Sequence, residues 1–184
     1  IIGAGTSLGS SITKVFADDN FTVVPARREG EKLKPLEEEI NSKGGKCFSF
    51  SLDARKEDEV QNFIERVERE IGEIEVAVYN IGANIKYNLT ETSSKKYFKV
   101  WEMATFGAFL MGREVAKNMI KRKRGTIMFT GATASIRGGD GFSAFAGAKN
   151  AKRALAQSMA RELGPKGIHA VSYTHLRAHE TRIH

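Results

Sequence analysis

A chain of 184 residues in which 41% are hydrophobic and 28% are charged has the composition of one globular domain, which argues against a disordered or collagen-like protein. The single cysteine, Cys47, excludes an intramolecular disulfide, and no apolar run reaches the length of a membrane span. A net charge of +7 raises the hypothesis of nucleic-acid binding, but Lys and Arg alternate with Glu and Asp along most of the chain, which favours a solvated surface.

Both ends of the chain are unusual. The sequence opens on Ile1 without a methionine, so we expect a domain truncated there, with any targeting segment missing, and otherwise a reducing cytoplasmic compartment. Residues 173–184 contain three of the four histidines and no apolar periodicity, so we interpret them as a non-native polar tail after a domain of residues 1–172. Because His175, His179 and His184 have no acidic or cysteine support, no metal site is predicted.

Hydrophobic periodicity predicts strands and helices that alternate along the chain. In chain order these are a strand end at 1–2, a helix at 8–18, a strand at 21–26, a helix at 31–42, a strand at 47–52, a helix at 57–71, a strand at 74–79, a long helix at 93–121, a strand at 125–130, a helix at 143–163 and a strand at 168–172. Strands separated by helices imply right-handed crossovers. The pattern therefore predicts the α/β class, with a doubly wound parallel sheet in a single domain, truncated at both ends.

A glycine-containing turn, Gly3-Ala4-Gly5-Thr6-Ser7-Leu8-Gly9, joins the first predicted strand to the first helix. Glycines at this place let the backbone approach a pyrophosphate, and the helix N-terminus supplies free N–H groups. Because the turn lies at the first crossover of a doubly wound sheet, the sequence predicts a nucleotide site there.

This turn resembles the Gly-x-x-x-Gly-x-Gly fingerprint of the short-chain dehydrogenase/reductase family, with Gly3 and Gly9 at the outer glycines and Ser7 at the middle one. Asp53, a segment from Asn80 to Ala83 similar to Asn-Asn-Ala-Gly, and Lys149 of a Tyr-x-x-x-Lys signature follow in order. The resemblance covers residues 1–172 and implies a Rossmann-type oxidoreductase that forms homodimers or homotetramers through the helices at 93–121 and 143–163. The cofactor-binding residues it implies are Gly3, Ser7, Leu8, Gly9, Asp53, Asn80, Gly82 and Lys149.

The end of the second predicted strand bears on the choice of cofactor. Members of the resembled family that bind NAD carry an acidic residue there, whereas this chain has Ala26 followed by Arg27 and Arg28. An arginine can bind a 2′-phosphate bidentately. We therefore expect NADP(H) to be preferred over NAD(H), with Arg27 and Arg28 as cofactor-binding residues; the alternative is that both are simply solvated.

Three of the four catalytic positions that the resemblance implies hold inert side chains. Phe145 stands four residues before Lys149, where the family has tyrosine, and Ala132 stands thirteen residues earlier, where it has serine. Ala104 ends the segment similar to the one that carries the family's asparagine, and Phe142 occupies the tyrosine position of the related enoyl reductases. Since phenylalanine has no proton to donate, Lys149 is the catalytic residue that remains.

Two interpretations stay open. The chain is an NADP(H)-binding protein with weak or no turnover, or it is an active reductase of carbonyls or polarised double bonds that uses another proton donor. The candidate donors are Thr130, Thr133, Ser135 and Ser143. Phe142 and Phe145 indicate a small apolar substrate. A third, weaker interpretation is nucleic-acid binding through Lys121–Arg124; we expect neither nucleic acid nor a membrane as a partner.

Overall fold

Six α-helices and seven short strands alternate along residues 1–174, the part of the chain that the computed structural model describes. The helices are α1 (Leu8–Asp18), α2 (Lys34–Ser42), α3 (Glu57–Glu70), α4 (Ser94–Trp101), α5 (Gly107–Arg122) and α6 (Ser143–Leu163). The strands are β1 (Thr22–Val23), β2 (Ala26–Arg27), β3 (Lys46–Cys47), β4 (Phe50–Ser51), β5 (Val76–Tyr79), β6 (Gly125–Thr130) and β7 (Ile168–Tyr173). The predicted alternation of strands and helices is confirmed.

The strands pair in parallel around Ile2. Ile2 forms bridges to Ala26 on one side and to Tyr79 on the other. Outward from Ala26, β1 pairs with β3 and β2 pairs with β4, while outward from Tyr79 the order is β5, β6, β7. The winding therefore reverses at Ile2, and this confirms the doubly wound parallel sheet. The switch point of such a sheet opens a crevice at the carboxyl ends of the strands.

The predicted strands 21–26 and 47–52 are each divided into two short pieces. Pro25 lies between β1 and β2 and has no N–H to give to a neighbouring strand. The two chain segments nevertheless stay in register, because the Phe50 N–H donates to the Pro25 carbonyl at 3.0 Å. Strand β7 continues through Tyr173, one residue past the predicted end, and the three histidines of the predicted tail lie outside the described residues.

The helix predicted over 93–121 is interrupted. A π-helical segment, Glu102–Phe106, separates α4 from α5. Such a turn leaves carbonyl groups without their usual partners, and here Tyr79 Oη donates to the Met103 carbonyl at 2.7 Å. Thr105 Oγ1 donates to the Ala148 carbonyl, also at 2.7 Å, and so ties this segment to α6. Apolar periodicity does not predict the interruption, because the same face stays apolar on both sides of it.

The apolar stripe predicted on the third helix is buried against the sheet. Val60, Phe63, Ile64 and Val67 of α3 belong to one core that also contains Phe129 and other residues of the strands. Each buried side chain of this size contributes about 1.5–3 kcal/mol relative to its exposed state. This packing holds the strand ends at which the functional residues lie. Within the described chain, no helix is both long and apolar enough to span a membrane.

The basic run Lys121–Arg124 is engaged with acidic neighbours. Arg122 donates from both terminal nitrogens to Glu68 at 2.8 and 2.9 Å. Arg124 donates to Glu75 from Nε at 2.9 Å. The ion pair of Arg122 joins the end of α5 to α3, and that of Arg124 joins the start of β6 to the loop before β5.

Candidate functional site

The turn between Ile2 and α1 requires glycine at two of its positions. Gly3 has φ +91°, and a Cβ there would lie 2.8 Å from Cγ1 of Ile81. A Cβ at Gly9 would lie 2.6 Å from both the Ala4 Cα and the Gly3 carbonyl oxygen. Gly5 instead borders open space, since a Cβ there would have nothing within 4 Å. The turn is thus closely packed on its inner side and open on the other.

A cleft of about 320 Å³ lies between this turn and the carboxyl ends of the neighbouring strands. Six of the residues predicted to bind the cofactor line it: Gly3, Arg27, Arg28, Asp53, Asn80 and Gly82. Asn80 also fixes the turn, because its Nδ2 donates to the Gly3 carbonyl at 3.1 Å. A second cavity of similar volume lies at the opposite edge of the sheet and has mainly apolar walls, among them Phe21 and Ile71.

The other predicted residues lie around the cleft rather than in its wall. Ser7 is the N-cap of α1 but makes no capping hydrogen bond with its side chain, and Leu8 is half exposed. Lys149 lies behind Gly82, since a Cβ at Gly82 would be 3.3 Å from its Nζ. The rest of the lining consists of Gly5 and Ile81, which belong to the predicted segments, and of residues that sequence reasoning did not single out: Glu29, Leu52, Ala54, Arg55 and Met103.

Two carboxylates in the cleft already have cationic partners. Arg55 donates to Asp53 from Nε at 2.8 Å and from Nη2 at 2.5 Å, and this ion pair holds the pKa of Asp53 below its usual range. The hydrogen bond from Lys32 likewise lowers the pKa of Glu29. Within residues 1–174, neither Arg27 nor Arg28 forms an ion pair. The end of β2 is therefore a cationic part of the cleft.

Phe145 and Lys149 lie together on the first turns of α6. Phe145 is buried, and its ring centroid is 5.6 Å from Nζ of Lys149. That Nζ donates to the Thr130 carbonyl at 2.9 Å, and burial lowers the pKa of Lys149. Ala132 is at the end of β6, and Ala104 is fully buried in the π segment against Ala148. None of the three side chains that replace tyrosine, serine and asparagine carries a proton to donate.

The hydroxyl groups proposed as substitute donors are differently placed. Thr130 Oγ1 lies 2.8 Å from Tyr173 Oη, and Ser135 is buried with its Oγ accepting from the Ala132 N–H at 3.1 Å. Thr133 begins a short 3-10 turn, Thr133–Ser135, and Ser143 is exposed at the start of α6. Thr130 and Ser135 therefore already serve local structure.

A second lysine, Lys152, was not singled out from the sequence. It is fully buried, its Nζ donates to the Ile81 carbonyl at 3.1 Å, and it is close enough to Lys149 for the two amines to affect each other's pKa. Burial and the charge of Lys149 lower the pKa of Lys152 to about 6. The available signal was its spacing, because residues three apart on a helix share a face.

Within the described part of the chain, no three His, Cys, Asp or Glu side chains come together in a way that could hold a metal ion. The cationic and glycine-rich surfaces of the cleft are instead suited to an anionic ligand. The N-terminus of α1, at Leu8, directly follows the glycine turn, and the partial positive charge of a helix N-terminus favours an anion.

The chain is similar in sequence to known proteins over almost its whole length. The sequence profile of the short chain dehydrogenase family matches residues 1–176. The chain is 32% identical over 178 residues to the short-chain dehydrogenase/reductase eriH of Hericium erinaceus, across 94% of this chain and 71% of that protein. It is 24% identical over 168 residues to the 3-oxoacyl-[acyl-carrier-protein] reductase of Bos taurus, across 91% of this chain and 70% of that protein.

A solved structure supports the same relationship. The crystal structure of a short-chain dehydrogenase from Rhodopseudomonas palustris superposes with a TM-score of 0.91 at 50% sequence identity, covering 94% of this chain and 81% of that chain. The share of its relatives' length that this chain spans varies, and falls to 25% for the oxidoreductase YuxG of Bacillus subtilis. Because the family profile matches residues 1–176 and the fold agrees, the chain belongs to the short-chain dehydrogenase/reductase family.

Proposed function

We propose that this chain binds NADP(H) in the cleft, in preference to NAD(H), and that it reduces carbonyl compounds slowly or not at all. The observation that carries the proposal is the cationic end of β2, where Arg27 and Arg28 form no ion pair with any described residue. A 2′-phosphate placed there gains charge-assisted hydrogen bonds, whereas a carboxylate would repel it.

The residues of the cleft fit a dinucleotide. Side chains are absent at Gly3 and Gly9, where a Cβ would collide with the backbone, and at Gly5, which leaves the outer side open. The turn and the first N–H groups of α1 would hold the pyrophosphate. Lys149 would bind the ribose next to the nicotinamide. When bound, the cofactor supplies a hydride, and the residues of this chain bind and orient it.

Slow turnover is expected because no acid stands at the tyrosine position. Phe145 has the shape of tyrosine without the hydroxyl, and Ala132 and Ala104 supply no hydrogen bond. Loss of general-acid catalysis costs about 10²–10⁴-fold in rate. The apolar surface of Phe142 and Phe145, whose centroids are 6.3 Å apart, suits a small apolar carbonyl or alkene substrate.

We also propose a homodimer or homotetramer, since family members often assemble. Four stacked rings run along α4, the π segment and α5: Phe98, Trp101, Phe106 and Phe109, with successive centroids 5.9, 6.0 and 6.3 Å apart. Phe98 and Phe109 are exposed, so this aromatic ladder is available to a second copy. Cys47 is buried and unpaired, which suits a reducing compartment such as the cytoplasm.

The second candidate function is an active NADPH-dependent reductase with another proton donor. The pair of buried lysines, Lys149 and Lys152, favours it, because two adjacent amines in a dry site provide an acid of lowered pKa. The two candidates differ in turnover and share the cofactor.

The cofactor preference is tested by measuring Kd for NADPH and NADH by fluorescence at fixed salt. We expect NADPH to bind about 10–100-fold more tightly, which is the value of one hydrogen bond to a charged group. Arg27→Asp should reverse the preference, and Arg153→Met, which removes an exposed arginine of α6, should not change it. Equal affinities in the parent protein would overturn the proposal.

Glu29 provides a second check on the same site. If its carboxylate, rather than Arg27, selected the cofactor through the ribose hydroxyls, Glu29→Gln would weaken NADH binding specifically. We expect Glu29→Gln to leave NADH binding unchanged or to strengthen NADPH binding, because a negative charge leaves the cleft.

A further inference from the structure

Two lysines are buried where α6 meets the carboxyl ends of β5 and β6. Each amine donates to a backbone carbonyl, Lys149 to Thr130 and Lys152 to Ile81, and the two amines are close enough to affect each other's pKa. The family signature accounts for Lys149. Nothing in that signature accounts for Lys152, whose side chain is fully buried.

The groups described around the pair are aromatic rings, hydroxyls and backbone carbonyls. From β5, the ring of Tyr79 lies 5.5 Å from Nζ of Lys152, and its hydroxyl donates to the Met103 carbonyl. From β7, the Tyr173 hydroxyl lies 2.8 Å from Thr130 Oγ1, and the π segment packs on α6 through Thr105. Within residues 1–174, neither amine has a carboxylate partner.

Two neighbouring ammonium groups in a buried site repel each other, and this favours a state in which only one of the two amines is charged. A buried amine without a counter-charge also costs folding free energy. Packing alone gives no reason for a lysine at this position, and buried groups of this kind concentrate at functional sites.

The pair is next to the cleft. Gly82 lines the cleft and lies against Nζ of Lys149, and a Cβ there would be 3.3 Å from that atom. Because Gly82 has no side chain, nothing of that residue covers the amine on this side. Lys152 lies deeper, below Ile81.

We propose that Lys149 and Lys152 share one proton and together act as the proton donor of this site, with Lys149, directly behind Gly82 of the cleft wall, as the donor and Lys152 as its positioning residue. The proposal rests on the proposed function, because it needs the hydride of the bound cofactor. When a carbonyl carbon accepts that hydride, the electron pair of the broken π bond moves to oxygen. The oxygen takes a proton from Nζ of Lys149, so that an O–H bond forms and an N–H bond breaks. Lys149 remains as a neutral amine and regains a proton from water in the cleft.

The surroundings of each amine indicate which of the two carries the proton. Burial lowers the pKa of both amines, and the charge of Lys149 lowers that of Lys152 further. Because Lys152 is the more deeply buried of the two, the positive charge costs less on Lys149, and Lys152 is the neutral partner that orients it. Without Lys152, burial acts on Lys149 unopposed.

The first test is an NMR titration of lysines labelled at Cε in the cofactor-free protein. We expect one lysine to titrate near pH 6 in the parent and this transition to be lost in Lys152→Met. The remaining buried lysine should then titrate about one to two pH units lower than in the parent, the value of a hydrogen bond to a charged group. If both buried lysines titrate near the ordinary value of about 10.4, the proton is not shared and the proposal is overturned.

The second test is the pH dependence of the NADPH-driven reduction of a 1,2-diketone at saturating cofactor. The rate of the parent should fall as pH rises through the pKa of Lys149, and Lys152→Met should shift that fall by about one to two units to lower pH. Lys152→Gln keeps a hydrogen-bond acceptor beside Lys149. The pH at which its rate falls should therefore move back towards that of the parent. Lys149→Met should be slower by about 10²-fold or more, and Arg153→Met should match the parent.

Each failure has its own meaning. If the parent does not bind NADPH, the proposed function is wrong, while the NMR titration still decides whether the proton is shared. If NADPH binds but turnover is absent, or persists unchanged in Lys149→Met, proton donation by the pair is overturned alone. An unchanged pH profile in Lys152→Met overturns the positioning role.

Discussion

Among single residues, Phe145 has the largest predicted effect on chemistry. Its ring lies against Lys149, so a phenol introduced by Phe145→Tyr would be next to an ammonium group, which favours the phenolate. We expect Phe145→Tyr with Ala132→Ser to raise carbonyl reduction by about 10²–10⁴-fold, with the new phenol titrating below its ordinary value of about 10.

The measurement is a pH–rate profile for the parent, both single variants and the double variant. Ala132→Ser alone should change the rate far less, because serine supplies a hydrogen bond and no suitable acid. A parent as fast as the double variant would show that Phe145 is not what limits turnover.

Lys152 gives a prediction about stability. Its pKa is lowered on folding, so the unfolded chain binds more protons between about pH 6 and its ordinary pKa of 10.5, and stability rises with pH across that range. Lys152→Met removes this pH-dependent contribution to the free energy of unfolding. At pH 7 we expect a free energy of unfolding higher by about 2–4 kcal/mol, with the gain shrinking as pH rises towards 10.5.

Urea denaturation of both proteins at several pH values measures this difference. Arg153→Met, on the exposed side of the same helix, should leave both the stability and its pH dependence unchanged. A Lys152→Met protein that is less stable than the parent, with the same dependence on pH, would contradict a desolvated amine at this position.

At the scale of elements, the π segment between α4 and α5 depends on one hydroxyl. Tyr79 is fully buried, and its Oη donates to the Met103 carbonyl that the widened turn leaves free. Tyr79→Phe should lower the free energy of unfolding by about 1–3 kcal/mol, because a buried carbonyl loses its donor. Denaturation with Tyr97→Phe, an exposed tyrosine, as the control measures the effect. Equal stability of the two variants would show that the carbonyl finds another donor.

The bounds of the helices show which of them depend on neighbouring residues in the sequence and which depend on tertiary contacts. The stripe of Val60, Phe63 and Val67 predicts α3 almost to the residue, since an amphipathic helix needs only its own periodicity. The helix predicted over 93–121 is interrupted because the sheet and α6 supply partners, Tyr79 and the Ala148 carbonyl, that lie far away in the sequence. Neither of these two contacts can be predicted from residues that are neighbours in the sequence.

At the scale of the whole molecule, the aromatic ladder predicts self-association. Phe98 is 59% exposed, and burying such a side chain contributes about 1.5–3 kcal/mol in each copy. Phe98→Asp should therefore shift the protein from dimer or tetramer towards monomer in sedimentation experiments. Val15→Asp, at a 60% exposed apolar residue of α1, is the control and should leave the mass unchanged. A parent that sediments as a monomer, or an unchanged Phe98→Asp assembly, would contradict the role of the ladder.

Local sequence patterns are enough to predict the class of fold, the order of its strands and helices, the glycine turn before the first helix and the places of Phe145 and Lys149 on one helix. These follow from local causes, namely hydrophobic periodicity, turn-forming glycine and the fixed spacing of motifs within one helix. The place of Arg27 and Arg28 at the end of a predicted strand also follows from the sequence, and it is the basis for expecting them to bind the cofactor.

The charges and the partners of these residues depend on the tertiary structure. It pairs Asp53 with Arg55, leaves Arg27 without an ion pair among the described residues, and buries Lys152 beside Lys149. From the sequence, a lysine is predicted to lie at the surface, because Lys is almost never buried without a partner. Its burial here depends on α6 packing onto the ends of β5 and β6, and that contact arises from chain segments about 70 residues apart, as in the hydrogen bond from Lys152 to Ile81, where the separation is 71.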